Sequence, residues 1–211
     1  MKRRVFLAGC AATGLYTPAL AASSASRTFS VARGGDPMGE HVLSAVRNGD
    51  RFEIDIVIRL KVKILGVTAY RYEMDNREVW QNGRLVSLNT KVNDDGTKDF
   101  ATAKQAGEQL DIKGSRFSGL VAGDAVTTTY YAKQFIERRP WISTQSGAPL
   151  DIAIKPEGRG NWWQVTGELE TRLGYDARGE WTGCEFDAGG EPGVYEVTKD
   201  AGAISALWLE A

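Results

Sequence analysis

Between Arg51 and Ile64 every even position is apolar: Phe52, Ile54, Ile56, Ile58, Leu60, Val62 and Ile64. The odd positions carry Arg51, Glu53, Asp55, Arg59, Lys61 and Lys63, with Val57 the one exception. A period of two puts all the even side chains on one face of a strand, whereas a helix would scatter them around its circumference. At about 3.4 Å per residue such a strand would be roughly 45 Å long if straight; a usual strand has about 5–6 residues. That length predicts a bend, as in barrels and strongly curved sheets.

A second alternating run follows at once. From Val67 to Trp80, Tyr70, Tyr72, Met74 and Trp80 take even positions, and Arg71, Glu73, Asp75 and Arg77 take odd ones. Only Leu65-Gly66 separates the two runs, and glycine supplies the positive φ that a tight turn needs. Residues 51–80 are therefore expected to form one long hairpin. A register with Ile64 facing Thr68 sets Arg59 against Glu73, Asp55 against Arg77 and Leu60 against Tyr72, pairing opposite charges outside and apolar groups inside. It also sets Lys61 against Arg71, which leaves a two-residue slip open.

Turn signals recur along the rest of the chain: Asn48-Gly49-Asp50, Asn82-Gly83, Asp94-Asp95-Gly96, Gly107, Gly114, Gly147, Gly158, Gly179 and Gly189-Gly190. Short alternating runs lie between them, such as Leu150, Ile152, Ile154 and Leu169, Thr171, Leu173, Tyr175. This spacing predicts an antiparallel meander. Ala125–Arg139 lacks alternation; Tyr131–Arg138 is the best helix candidate and Pro140 stops it. The expected fold is all-β: a single strongly curved antiparallel meander sheet or half-barrel, with one short helix and the long hairpin. No linker, repeat or low-complexity tract divides it.

The first residues read differently. Lys2, Arg3 and Arg4 precede an uncharged, mostly apolar run to Leu20, which ends in the small-x-small pattern Ala19-Leu20-Ala21. Basic end, apolar middle and small-residue exit make a secretory signal peptide over residues 1–21, followed by one β domain over 22–211. Gly9, Gly14 and Pro18 make the run a poor permanent membrane span. The Arg-Arg pair suits a twin-arginine route, and the general secretory route remains open beside it. Leu7-Ala8-Gly9-Cys10 offers an alternative, a lipoprotein anchored at Cys10. The expected location is the periplasm.

Removing residues 1–21 leaves 190 of the 211 residues and takes away three cations and no acid, so the formal charge moves from −1 to −4. Mild acidity gives no electrostatic reason to bind nucleic acid. Cys184 would be the only cysteine left, with no internal disulfide to form, and it reads as a small buried hydrophobe. His41 is the only histidine. Multi-histidine metal sites are thereby excluded, and a Ser–His–Asp triad would have to use His41. Its setting, Glu40-His41-Val42-Leu43, resembles a strand start, so a surface or turn histidine is expected. Asp94-Asp95-Gly96 reads as turn chemistry rather than a calcium loop. No catalytic residue, metal site or cofactor is predicted.

The aromatics carry what functional signal there is. Tyr70, Tyr72 and Trp80 share the face of the isoleucine stripe, and Trp162, Trp163, Tyr175, Trp181 and Trp208 come from the C-terminal half. They form either a solid aromatic core or the wall of a partly open apolar cavity.

Three stretches resemble a known family: Tyr70–Gly96 (YRYEMDNREVWQNGRLVSLNTKVNDDG), Gly167–Gly183 (GELETRLGYDARGEWTG) and Phe29–Asp50 (FSVARGGDPMGEHVLSAVRNGD). Together they are similar to domain-of-unknown-function family 6134. The resemblance implies an exported bacterial protein with a curved antiparallel sheet, and no established activity or catalytic residues. The chain departs from the family at Thr129-Tyr130-Tyr131, where relatives often carry Ser-His-Trp.

Two function classes follow. The first is non-catalytic binding of an apolar small molecule or a lipid-bearing partner on the concave sheet face. Its expected contacts are Ile56, Ile58, Leu60, Tyr70, Tyr72, Trp80 and Trp208, with the C-terminal Trp208 segment as a movable cover. The second is a metal-independent envelope enzyme using carboxylate, Tyr and Arg side chains. A purely structural envelope protein is not separable from the first by sequence.

Overall fold

The computed structural model describes residues 23–64, 67–158 and 160–209. The segment expected to be a signal peptide, with Cys10, and the pair Leu65-Gly66 lie outside the described residues. In chain order the first strands are β1 (Ser23–Arg33), β2 (Asp36–Asn48), β3 (Arg51–Ile64), β4 (Val67–Gln81), β5 (Arg84–Asp94), β6 (Thr97–Ala106), β7 (Gln109–Gly114) and β8 (Ser118–Ala122). Then come β9 (Val126–Thr127), a 3-10 turn (Lys133–Glu137), β10 (Trp141–Ile142) and β11 (Pro149–Leu150). The chain continues through β12 (Ile152–Glu157), β13 (Trp162–Gly167), β14 (Thr171–Tyr175), β15 (Trp181–Asp187), β16 (Pro192–Ala201) and α1 (Ile204–Leu209).

Thirteen strands make one antiparallel sheet in the order β12-β13-β14-β15-β16-β1-β2-β3-β4-β5-β6-β7-β8. Two meanders, β1 to β8 and β12 to β16, are sewn together where β16 pairs with β1. The end strands β8 and β12 do not pair, so the sheet is a curved half-barrel and not a closed barrel. The chain between those two ends, residues 123–151, forms a plug against the inner face. Its strands β9, β10 and β11 make a small sheet of their own. Val126, Tyr131, Phe135, Trp141 and Ile142 from the plug are buried in the same core as the sheet residues. Tyr131 meets Phe52 with ring centroids 5.7 Å apart, and Phe135 meets Trp80 at 5.4 Å. At Gly114 in β7 plug backbone lies against the sheet: a Cβ there would collide with the Ser146 carbonyl.

The long hairpin forms as the alternation predicts. Leu60 faces Tyr72, Asp55 faces Arg77 and Arg59 faces Glu73. A bulge between Val62 and Lys63 then shifts the tip by one residue, so Lys63 faces Thr68 and Ile64 faces Val67. On the outer face Arg77 binds Asp55 at 3.0 Å and also Glu53, while Arg59 takes the diagonal Asp75 at 2.5 Å rather than Glu73. The next turn is set by Asn82-Gly83, both with positive φ (51° and 67°), the pair that a two-residue hairpin turn requires.

The helix expectation moves. Tyr131–Arg138 yields only the five-residue 3-10 turn, because Phe135 and Ile136 are both drawn into the core from one short segment. Among the described residues the α-helix is the C-terminal α1. Six residues cannot sustain a helix alone. Glu180 holds its start, accepting N–H hydrogen bonds from Ile204 at 3.1 Å and Ser205 at 2.9 Å. Trp208 fixes its far end, packing edge-on against Trp80 (5.7 Å) and Phe135 (5.1 Å). Trp208 is therefore a core residue, not a cover over an open face. Among the described residues no helix is long and apolar enough to cross a membrane.

Candidate functional site

The inner face of the half-barrel divides along the length of its strands. Toward the β2–β3 and β4–β5 turns, large plug side chains (Tyr131, Phe135, Trp141) fill the space against Phe52, Ile54, Trp80 and Leu85. Toward the β3–β4 tip the plug presents mostly smaller or polar residues, Thr128, Thr129, Ser143, Thr144, Ser146 and Ala148, beside the larger side chains of Tyr130 and Leu150. The long strands continue past them, and the difference in side-chain volume leaves a cavity of about 940 Å³. That lies in the usual range for small-molecule sites, about 300–1,000 Å³.

One wall is apolar. It comprises Met38 from β2, Ile58, Leu60 and Val62 from β3, Tyr72 and Met74 from β4, and Trp181, Cys184, Phe186 and Tyr195 from β15 and β16. The plug supplies the opposite, hydroxyl-rich wall. There the Thr128 and Thr144 hydroxyls lie 3.0 Å apart. Gln145 ties this wall to the sheet: its Oε1 accepts from the Tyr72 hydroxyl at 3.4 Å, and its Nε2 donates to Asp94 and Asp99 at 3.3 Å each. The Tyr70 hydroxyl donates to Asp94 at 2.8 Å. Burial and the nearby acids hold both tyrosines protonated, well above the ordinary phenol range. Arg33, Arg116, Glu168, Glu170 and Asp187 also border the cavity. Arg33 is half-buried and the other four are exposed, so the charges sit at the mouth.

Four of the seven residues expected from sequence line this cavity: Ile58, Leu60, Tyr70 and Tyr72. Ile56, Trp80 and Trp208 do not; all three are buried in the solid half. The shared parity of Ile56 and Trp80 with the cavity residues is real. The plug simply covers that part of the face.

His41 is a correction. It sits within β2 on the inner face, 4% exposed, not on the surface or at a turn. Trp181, Tyr195 and Phe29 surround its ring at centroid distances of 5.3, 5.6 and 6.1 Å. It lines the cavity, and neither ring nitrogen has a hydrogen-bond partner among the described residues. Burial pushes its pKa down to about 3, so the imidazole is neutral. Cys184 is buried, with its sulfur 3.0 Å from the Thr171 hydroxyl. Burial raises its thiol to about 12, which removes thiolate nucleophilicity.

Two polar residues missed in the stripe are Asn76 and Glu78, which continue the even face of β4 between Met74 and Trp80. Glu78 is fully buried and accepts hydrogen bonds from Asn76 (3.1 Å), Trp80 (2.9 Å) and Tyr131 (3.2 Å). Burial raises its pKa, and those bonds pull it back. It cross-links sheet to plug, away from the cavity. The cavity thus has one apolar side and one hydroxylic side, and the Cys184 thiol in its lining is held protonated by burial.

Residues 29–198 match the family model described as Domain of unknown function (DUF6134). The chain belongs to this family. A solved structure with the same kind of architecture is a beta-barrel-like protein of domain of unknown function DUF1849 from Brucella abortus. It aligns with a TM-score of 0.57 at 8% sequence identity, over 84% of this DUF6134 chain and 97% of the other. At that identity the likeness is one of fold. No curated protein matches the chain.

Proposed function

We propose that this protein is exported to the periplasm and there binds, without catalysis, an apolar small molecule or the apolar part of a lipid-bearing partner. The observation that carries this reading is the cavity of about 940 Å³ between the β3–β4 hairpin and the small polar residues of the plug. Ile58, Leu60, Tyr70 and Tyr72 are the contacts assigned to it. Open apolar surface of this extent costs stability unless something occupies it. The basic–apolar–small pattern of residues 1–21 supports export.

Native mass spectrometry of protein released from its own periplasm tests both parts. A retained adduct of lipid-like mass on a chain beginning near Ala22 is expected. A chain that still carries Met1 contradicts cleavage near Ala22, and a lipid covalently held at Cys10 replaces the soluble periplasmic protein with the membrane-anchored alternative. An adduct-free chain that also fails to take up an apolar dye contradicts the binding reading.

A further inference from the structure

We infer that the bound molecule is an uncharged amphiphile that enters polar end first, and that the imidazole of His41 receives its hydroxyl group. The inference rests on the binding reading above and narrows its ligand class.

Three observations lead to it. First, His41 borders the cavity, and both of its ring nitrogens are covered and unpartnered, so a ligand hydroxyl would reach one of them as the ring turns toward the space. Buried polar side chains in folded proteins are nearly always hydrogen-bonded, so an orphan at a cavity wall points to a missing partner. Its neighbours Phe29, Trp181 and Tyr195 face it with aromatic rings and fix where it sits without satisfying it. Second, a neutral imidazole has one donor and one acceptor nitrogen. A hydroxyl group, itself donor and acceptor, complements either. The low pKa of about 3 means that no cation is available to hold a buried anion there. Third, all other charged residues that border the cavity, Arg33, Arg116, Glu168, Glu170 and Asp187, are exposed or half-exposed at the mouth. A charged head group sunk beside His41 would be desolvated without a counter-charge, which is strongly unfavourable. The apolar body of the ligand would then lie along Ile58, Leu60 and Met74.

Displacement of an apolar dye by dodecanol, dodecane and dodecanoate, on the wild type and on His41→Phe, separates the possibilities. One hydrogen bond between neutral groups changes affinity about tenfold. His41→Phe is expected to weaken dodecanol by about that factor while leaving dodecane within twofold, and dodecanoate should displace dye more weakly than dodecanol. Equal loss for dodecanol and dodecane, or tightest binding by dodecanoate, overturns the inference. If neither dodecanol nor dodecane displaces dye from the wild type, the underlying binding reading fails instead.

A second measurement holds even if the variant does not fold. His41 is the only histidine in the chain, so tag-free protein labelled with ¹⁵N-histidine gives one pair of imidazole nitrogen signals. Dodecanol should shift them and dodecane should not. Signals unmoved by saturating dodecanol refute the contact.

Discussion

Replacing Glu180 by alanine should destabilise the whole domain, because this side chain closes the C-terminal helix onto the sheet. Glu180 is 1% exposed and sits 3.4 Å from the guanidinium of Arg27, itself 4% exposed. It also accepts the Ile204 and Ser205 N–H groups. Removing one member of a buried ion pair costs about 3–5 kcal/mol, since the survivor stays buried without its counter-charge. The two helix N–H groups lose charged acceptors, which adds to the cost. Against this, Arg27 keeps Asp200 at 2.9 Å and the Trp181 carbonyl at 2.6 Å. We therefore expect a net loss of about 3–5 kcal/mol, out of the 5–15 kcal/mol typical of a domain. In urea, with a slope of about 2 kcal/mol per molar, the midpoint should fall by roughly 2 M. The double variant Arg27→Met/Glu180→Leu should recover part of the loss, because no buried charge is left behind, and the cycle should show coupling above about 1 kcal/mol. Glu108→Ala is the control. It breaks an ion pair to Arg84 of 2.8 Å, but Glu108 is 86% exposed, so the midpoint should hardly move. If Glu180→Ala shifts the midpoint no more than Glu108→Ala does, the buried latch is not what holds α1.

Glu78→Gln keeps the side-chain shape and removes a buried ionisable group, and its amide oxygen can still accept from Trp80 and Tyr131 while the amide nitrogen, a donor, loses the bond from Asn76. The folded-state pKa of Glu78 lies above its unfolded value, so between the two the folded chain binds more protons than the unfolded chain. Its contribution to stability is full below about pH 4.5 and is lost as pH rises through the raised value. Thermal melts across pH 4–9 should show the wild type losing stability with rising pH relative to Glu78→Gln; parallel curves would contradict the buried-acid reading. Ile56→Asp should unfold the domain by placing an unpaired charge at a fully buried position, whereas Asp55→Ser, one residue away on the exposed face, should cost under about 1 kcal/mol. Circular dichroism of the two variants checks this, and equal tolerance would undo the facing of β3.

The hairpin was legible because its information is local. Alternation over Arg51–Ile64 and Val67–Trp80 names the inner face, and the charge pairs narrow the register. The bulge at Val62/Lys63 was not legible, since neither residue type signals it. Asn76 and Glu78 could have been found by carrying the even parity of β4 through its polar positions. His41 was harder. In β2 it shares parity with Leu43 and Ala45, which are buried, but Val42 and Val46 compete on the other face, and Val46 is in fact exposed. Residues 123–151 lack periodicity because their burial is decided by contacts with distant strands rather than by a repeating element. The cavity depends on that same segment. It exists because small side chains such as Ser143, Thr144 and Ala148 come to lie opposite Ile58 and Leu60, a juxtaposition set by tertiary folding. For the same reason Ile56, Trp80 and Trp208 looked equivalent to the cavity residues in sequence and are packed solid in the fold.

The central claim is that the space beside Leu60 holds an apolar molecule. Leu60→Trp puts a larger, still apolar side chain into that space from a strand whose register is otherwise untouched. Titration of an environment-sensitive apolar dye into the folded wild type and into Leu60→Trp, with circular dichroism confirming an intact sheet in both, measures the claim directly. Saturable binding of one dye per wild-type chain, weakened at least tenfold in Leu60→Trp, is the predicted result. No saturable binding to the folded wild type, or equal binding by both proteins, contradicts the account.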